Sequence, residues 1–155
     1  MKVQSRLRPA QFNVRPSSAD LEIREKVRSI LASHYGRSFG MERRRERRYP
    51  FPHLVQLTPL GDDGQTPSGP PIIGVGRELS EGGFGFFHPA PLAHRQMIAT
   101  LESADRVWIS LVIDLTWCRF LRQGWYESGG RFLRTIVLPP GLSALPKPEF
   151  RPVPE

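Results

Sequence analysis

The stretch RRRERRYPFPHLVQLTPL, residues 43–60, marks the point where the chain changes from helical to β-type sequence. Upstream of it apolar residues recur at helical spacing, whereas between Phe51 and Leu60 they alternate as in a β-strand. Five arginines within six positions therefore lie at the entrance to a predicted β domain, and not at a chain terminus. Guanidinium groups suit phosphates and guanine edges especially well, so the stretch marks a fold boundary and a candidate anion site. By itself, such a run of charge is also typical of a solvated face.

Upstream of this stretch, the sequence predicts an amphipathic helix over residues 18–36. Ser17 or Ser18 can cap its first turn, and Gly36 is a natural terminator. The apolar stripe comprises Leu21, Ile23, Val27, Ile30 and Leu31. We expect this stripe to lie on the β domain or on a partner chain. Residues 1–17 are polar and interrupted by prolines, and we expect a flexible segment there.

Downstream of the stretch, short β-type segments follow one another without intervening helices. After a first strand over 51–60, strands are predicted over 72–79, 84–88, 96–102, 107–120, 125–127 and 131–138. This pattern predicts a mainly β fold, a six-stranded antiparallel barrel with an N-terminal α-helix. The barrel domain is assigned to residues 42–138, and the proline-rich tail over 139–155 is expected to be extended.

The net charge of +7 is unevenly distributed along the chain. Residues 1–48 carry a net +8 and the remaining 107 residues a net −1. Binders of long nucleic acids usually spread basic residues over a folded face, so this distribution favours a compact anionic ligand and makes nucleic acid an unlikely partner. No apolar stretch approaches the roughly 18 residues of a membrane span, and no secretory signal is evident, so we expect a cytoplasmic protein.

The residues that could carry catalysis have simpler interpretations. One cysteine excludes an internal disulfide, and Cys118 is expected to be buried in a strand. Asp114 and Glu127 are interpreted as strand-face or structural ion-pair residues, because no nucleophile, metal set or cofactor motif accompanies them. The tryptophans are assigned to barrel core or rim, and the four scattered histidines show no metal-ligand spacing. The sequence therefore predicts a protein that is not an enzyme and has neither metal nor cofactor.

A second group of polar residues, Glu78-Leu-Ser-Glu-Gly-Gly83, lies between two predicted strands. A serine hydroxyl can donate to a phosphate or a base, and glycines allow backbone N–H groups to approach a ligand. The same sequence would also suit an ordinary hairpin loop.

Taken together, the two groups resemble the PilZ domain family. Arg44 and Arg48, followed by Tyr49-Pro50, resemble its Arg-x-x-x-Arg motif, with Arg43 and Arg47 as a second possible register. Ser80 and Gly83 match the second motif, in which Glu78 replaces the usual Asp or Asn. Residues 117–119 and 124–132 resemble the last hairpin of that family, and the resemblance spans about residues 42–138.

This resemblance implies a six-stranded barrel that binds the bacterial second messenger cyclic di-GMP and signals to a downstream protein. The ligand-binding residues that it implies are Arg43, Arg44, Arg47, Arg48, Glu78, Ser80 and Gly83. Two alternatives remain open: a degenerate PilZ-like domain that binds a protein and no nucleotide, and a small RNA- or DNA-binding barrel.

Overall fold

In the part of the chain that the structure describes, the fold is a closed antiparallel β-barrel with a helix packed on it. The structure, a computed structural model, describes residues 17–36 and 47–138. It contains helix α1 (Ser18–Tyr35) and strands β1 (Tyr49–Pro50), β2 (Leu54–Pro59), β3 (Ile72–Leu79), β4 (Gly83–His88), β5 (Gln96–Glu102), β6 (Trp108–Phe120) and β7 (Tyr126–Ile136). Strands β2–β7 form the six-stranded barrel, which the β3–β4 pairing closes, and two-residue β1 adds to the edge of β3. The predicted fold class is confirmed.

Helix α1 begins and ends where its local sequence predicts. Ser17 and Asp20 form a reciprocal capping box, and Gly36 ends the helix with φ 64° while its N–H donates to Ala32. The predicted apolar stripe was wrong at one residue, because Leu21 is 53% exposed. At 100° per residue, this leucine points about 200° away from Ile23 and therefore faces solvent.

The partner of the apolar stripe is the barrel. Four buried helix residues join the main hydrophobic core together with side chains from the barrel strands: Ile23, Val27, Ile30 and Leu31. Beyond them, the His34 ring packs edge-on against Phe51 with 5.4 Å between centroids. The Tyr35 hydroxyl donates to the carbonyl of Pro50, and the Ser33 hydroxyl accepts from the N–H of Ala104 at 2.9 Å. Helix α1 is therefore anchored along its length.

The first barrel strand starts later than predicted, at Leu54 and not at Phe51. Pro50 and Pro52 have no N–H to donate, so this segment cannot form a regular ladder. It is nevertheless attached to β3, because the N–H of Phe51 donates to Arg77 at 2.9 Å and the carbonyl of His53 accepts from Gly76 at 2.8 Å.

Strand β7 is continuous where the sequence predicted two separate segments. Gly129 and Gly130 lie within the strand because neighbouring groups approach their backbone closely. A Cβ atom on Gly130 would lie 2.0 Å from the carbonyl oxygen of Asp114 on β6. The connection between β6 and β7 is confirmed as a tight turn, in which Gln123 and Gly124 have φ of 60° and 79°.

The expected structural role of two carboxylates is also borne out. Glu127, with 2% of its side chain exposed, pairs with Arg77 and Arg119. Asp114, with 7% exposed, pairs with Arg95 at 2.9 Å.

The predicted burial of Cys118 was wrong. This residue is exposed, as is the whole end of β6 from Thr116 to Phe120. These residues extend beyond the buried core positions of β6, and the part of the chain that the structure describes leaves them exposed.

Several predicted segments lie outside the described residues. These are most of the flexible segment over 1–17, the start of the barrel domain over 42–46 and the proline-rich tail over 139–155. Within the described part of the chain, α1 lacks the apolar length that crossing a bilayer would require.

Candidate functional site

A cleft of about 350 Å³ lies on the outside of the barrel, beside the turn between β3 and β4. It brings together four of the residues singled out in the sequence, namely Arg48, Glu78, Ser80 and Gly83. It is further lined by Gly82, Phe84, Gly85, Thr116, Trp117, Gly130 and Arg131. The two sequence motifs, which lie thirty residues apart along the chain, therefore border one cleft.

The Ser80–Gly83 turn presents a hydroxyl that is only partly used. The N–H of Ser80 donates to the carbonyl of Gly83 at 2.9 Å, and the N–H of Gly83 donates to the Ser80 hydroxyl at 3.2 Å. Among the described residues, the acceptor for the Ser80 proton is that same Gly83 carbonyl, at 3.4 Å, which is long for an O–H donor. An acceptor on a ligand could therefore take this proton without breaking a strong hydrogen bond.

The floor of the cleft is poor in side chains. Gly85 on β4 pairs with Gly129 on β7, and Gly129 pairs in turn with Trp117 on β6. A Cβ atom on Gly129 would lie 2.5 Å from the indole ring of Trp117, so the ring can lie against the strand only because this residue is glycine. The result is a flat strip of backbone bordered by an aromatic ring.

Trp117 lines the cleft but was not among the predicted ligand-binding residues. The sequence assigned it to barrel core or rim, and the residue is 42% exposed. Its position follows from the pairing of β6 with Gly129. The alternation of β6 together with that glycine could have indicated an outward-facing indole.

The charged groups of the cleft are two arginines and one carboxylate. Arg48 donates to Glu78 at 3.1 Å, with 72% and 28% of the two side chains exposed. Arg131, which the sequence did not single out, supplies the second cation. The cleft as described is therefore net positive, with a carboxylate already paired to one of its cations.

Of the remaining predicted arginines, Arg47 is the one that falls within the described residues. The guanidinium carbon of Arg47 lies over the ring of Tyr49, 5.3 Å from its centroid, and Arg47 does not line the cleft. Arg43 and Arg44 fall outside the described residues.

The same turn is connected to the helix. Glu81, next to Ser80, accepts from Arg28 of α1 at 3.2 Å, and only 11% of its side chain is exposed. A second cavity of about 530 Å³ lies between α1 and β7, lined by Asp20, Ile23, Arg24, Glu81, Gly82, Arg131, Phe132 and Leu133. Gly82 and Arg131 line both cavities, so the cleft adjoins the cavity between α1 and β7.

Comparisons with known proteins give one distant similarity. No protein-family model matches the chain, and no curated protein matches it. A solved structure, that of the Bacillus subtilis inhibitor of motility (MotI/DgrA), is similar over 61% of this chain with 12% identity and a TM-score of 0.44. The matched part is 44% of that protein's length. So distant a similarity does not establish a family, and PilZ membership stays a prediction that rests on the sequence motifs.

Proposed function

We propose that this protein is a non-enzymatic cytoplasmic receptor for cyclic di-GMP, built on a PilZ-like barrel. One observation carries the proposal: Arg48 from the first motif and Glu78, Ser80 and Gly83 from the second line the same cleft. Arg48 and Glu78 are thirty residues apart in the sequence, so their closeness in the cleft is a result of the fold.

The groups in the cleft suit the chemistry of the ligand. Cyclic di-GMP presents two phosphates and two guanine bases. Arg48 can fork onto a phosphate or onto O6 and N7 of a guanine, and Glu78 can accept from amino groups of the base. Ser80 offers its hydroxyl proton, and the half-exposed indole of Trp117 offers a face on which a base can stack.

The size of the cleft is consistent with partial enclosure of the ligand. Ligand sites typically measure about 300–1,000 Å³, and this cleft lies near the lower end. Further contacts would come from the arginine run. Arg44 lies four residues before Arg48 in that run.

Binding would require an exchange of partners at Arg48. Its ion pair with Glu78 is solvent-exposed, and exposed pairs contribute only about 0–1 kcal/mol, so a phosphate can displace the carboxylate at little cost. Replacing Glu78 by Asp, the residue type of the second motif, shortens the side chain and is expected to increase affinity.

The proposed signal passes from the turn to the helix. A ligand held by Ser80 would alter the position of Glu81, whose carboxylate is paired with Arg28 of α1. The receptor would thereby change how α1 lies on the barrel and expose or remove a surface for a downstream protein.

The test is calorimetric titration with cyclic di-GMP, and with cyclic di-AMP to probe the guanine edges. We expect micromolar or tighter binding of cyclic di-GMP, lost in an Arg44→Ala/Arg48→Ala double variant. Arg122→Ala, which removes an exposed arginine from the β6–β7 turn, controls for loss of charge. Absence of heat at high concentrations of the unaltered protein would refute the receptor.

The alternative is a degenerate PilZ-like domain that binds a protein and no nucleotide. The observation that favours it is the Arg48–Glu78 ion pair, because the motif arginine that lines the cleft is already paired with a carboxylate. The Glu78→Asp variant separates the two functions: a gain in affinity supports a receptor with an imperfect motif, whereas absence of binding in both forms supports the degenerate domain.

A further inference from the structure

We propose that Arg131 is a second phosphate-binding residue of the cleft, contributed by strand β7 and independent of the arginine run. The inference rests on the proposed function, because it specifies how the same site holds a dianionic ligand. A ligand with two phosphates is best held by two cations, and among the described residues that line the cleft these are Arg48 and Arg131.

The backbone places Arg131 beside the serine turn. Arg131 is the cross-strand partner of Gly83, and the N–H of the following residue, Phe132, donates to the carbonyl of Gly82 at 3.0 Å. Its side chain is 71% exposed and lines the cleft. The backbone of Arg131 is therefore held in a strand next to the serine turn. Because that backbone is already ordered, binding of a ligand costs less conformational entropy.

The existing partner of Arg131 holds it only weakly. Its Nε atom lies 4.0 Å from Oδ2 of Asp114, beyond hydrogen-bond distance. Asp114 is already satisfied by Arg95, which donates from Nε at 2.9 Å and from Nη2 at 3.4 Å. Arg131 can therefore turn to a phosphate without leaving a buried carboxylate unpaired.

Arg119, on the neighbouring strand β6, is by contrast fully engaged in a structural ion pair. It donates to Glu127 Oε1 from Nε at 2.9 Å and from Nη2 at 2.6 Å, and the carboxylate is almost fully buried. Arg119 does not line the cleft. The contrast supports a ligand role for Arg131 and a structural role for Arg119.

The experiment compares Arg131→Ala with Arg95→Ala by calorimetric titration of cyclic di-GMP. Both variants lose one positive charge and one arginine near Asp114, but Arg95 does not line the cleft. Hydrogen bonds to charged groups contribute about 1.5–3 kcal/mol, so we expect Arg131→Ala to weaken binding about tenfold or more. We expect Arg95→Ala to change it less than about threefold, and Arg131→Lys to fall between Arg131→Ala and the unaltered protein.

The outcomes separate this inference from the proposed function. If the unaltered protein binds and Arg131→Ala binds equally well, Arg131 is not a ligand residue, although the receptor stands. Equal weakening in Arg95→Ala and Arg131→Ala would assign both to the Asp114 cluster and overturn the inference. No binding by the unaltered protein overturns the receptor and this inference together. Urea unfolding of each variant verifies that it is folded.

Discussion

Two arginine–carboxylate groups lie side by side on this barrel and differ sharply in burial. In the cleft, Arg48 pairs with Glu78, whose side chain is 28% exposed. On the adjoining face, Arg77 and Arg119 enclose Glu127, whose side chain is 2% exposed. Arg77 and Glu78 are consecutive in β3, where a register shift interrupts its pairing with β4.

The difference indicates which charges can serve a ligand. A buried carboxylate depends on its arginines, because removal of a partner leaves an uncompensated charge at low dielectric. The two sides of the exposed pair are solvated and can change partners at little cost. Burial, more than residue type, therefore distinguishes structural arginines from candidate ligand residues on this surface.

The largest expected effect comes from removing both partners of Glu127. The Arg77→Ala/Arg119→Ala double variant leaves this carboxylate buried and unpaired, and we expect a loss of about 3–5 kcal/mol in the free energy of unfolding. Urea denaturation measures this loss in the free energy of unfolding. Arg48→Ala/Arg122→Ala removes two exposed arginines as the matched control, and equal losses in both double variants would erase the distinction between the two groups.

A second comparison concerns glycines of the cleft. In Gly130→Ala the new Cβ would lie 2.0 Å from a backbone carbonyl, so β6 and β7 must separate, at a cost of about 1–3 kcal/mol. Gly82→Ala meets no atom within 4 Å and should change stability by less than about 0.5 kcal/mol. Thermal unfolding of the two variants tests this, and a neutral Gly130→Ala would contradict the close packing under the cleft.

Like Glu127, His88 is a buried ionisable residue, and it is fully buried. Its Nδ1 donates to the carbonyl of Ala90 at 2.7 Å, so Nε2 accepts from the Ser128 hydroxyl at 2.8 Å. Burial lowers the pKa of His88 below its ordinary value of 6.5, and the hydrogen bond to Ala90 opposes this only in part.

Because the folded pKa of His88 is lowered, the unfolded chain takes up a proton first as the pH falls. Its contribution to stability is thus complete above about pH 6.5 and declines below that value. Burial also lowers the pKa of His53, which adds to the decline. Denaturant titrations between pH 8 and pH 5 should show a smaller decline in the free energy of unfolding for His88→Gln than for the unaltered protein. An unchanged slope in His88→Gln would count against a neutral buried imidazole.

The smallest expected effect on stability is that of the cleft pair itself. Arg48→Ala removes an exposed ion pair and should change the free energy of unfolding by less than about 0.5 kcal/mol. Chemical denaturation measures this change, and a loss above about 2 kcal/mol would place Arg48 among the structural arginines.

Much of the fold could be predicted because its signals are local. Ser17 and Gly36 bound the helix, and most strand positions follow from alternation and turn residues. The errors at Cys118 and Leu21 concern burial, which depends on what covers a side chain. The predicted break at Gly129-Gly130 was wrong because glycine within a strand can also mark a close approach of neighbouring groups, as it does here.

The sequence by itself determined the helix with its caps, the order of the β segments and the presence of an arginine run and a Ser-Glu-Gly-Gly segment. Only the tertiary structure decided which of those residues share a cleft, and that Trp117 and Arg131 join them while Arg47 does not. The physical reason is strand register. Barrel closure pairs β4, β6 and β7 at fixed positions, and that pairing selects the outward-facing side chains that meet beside the serine turn.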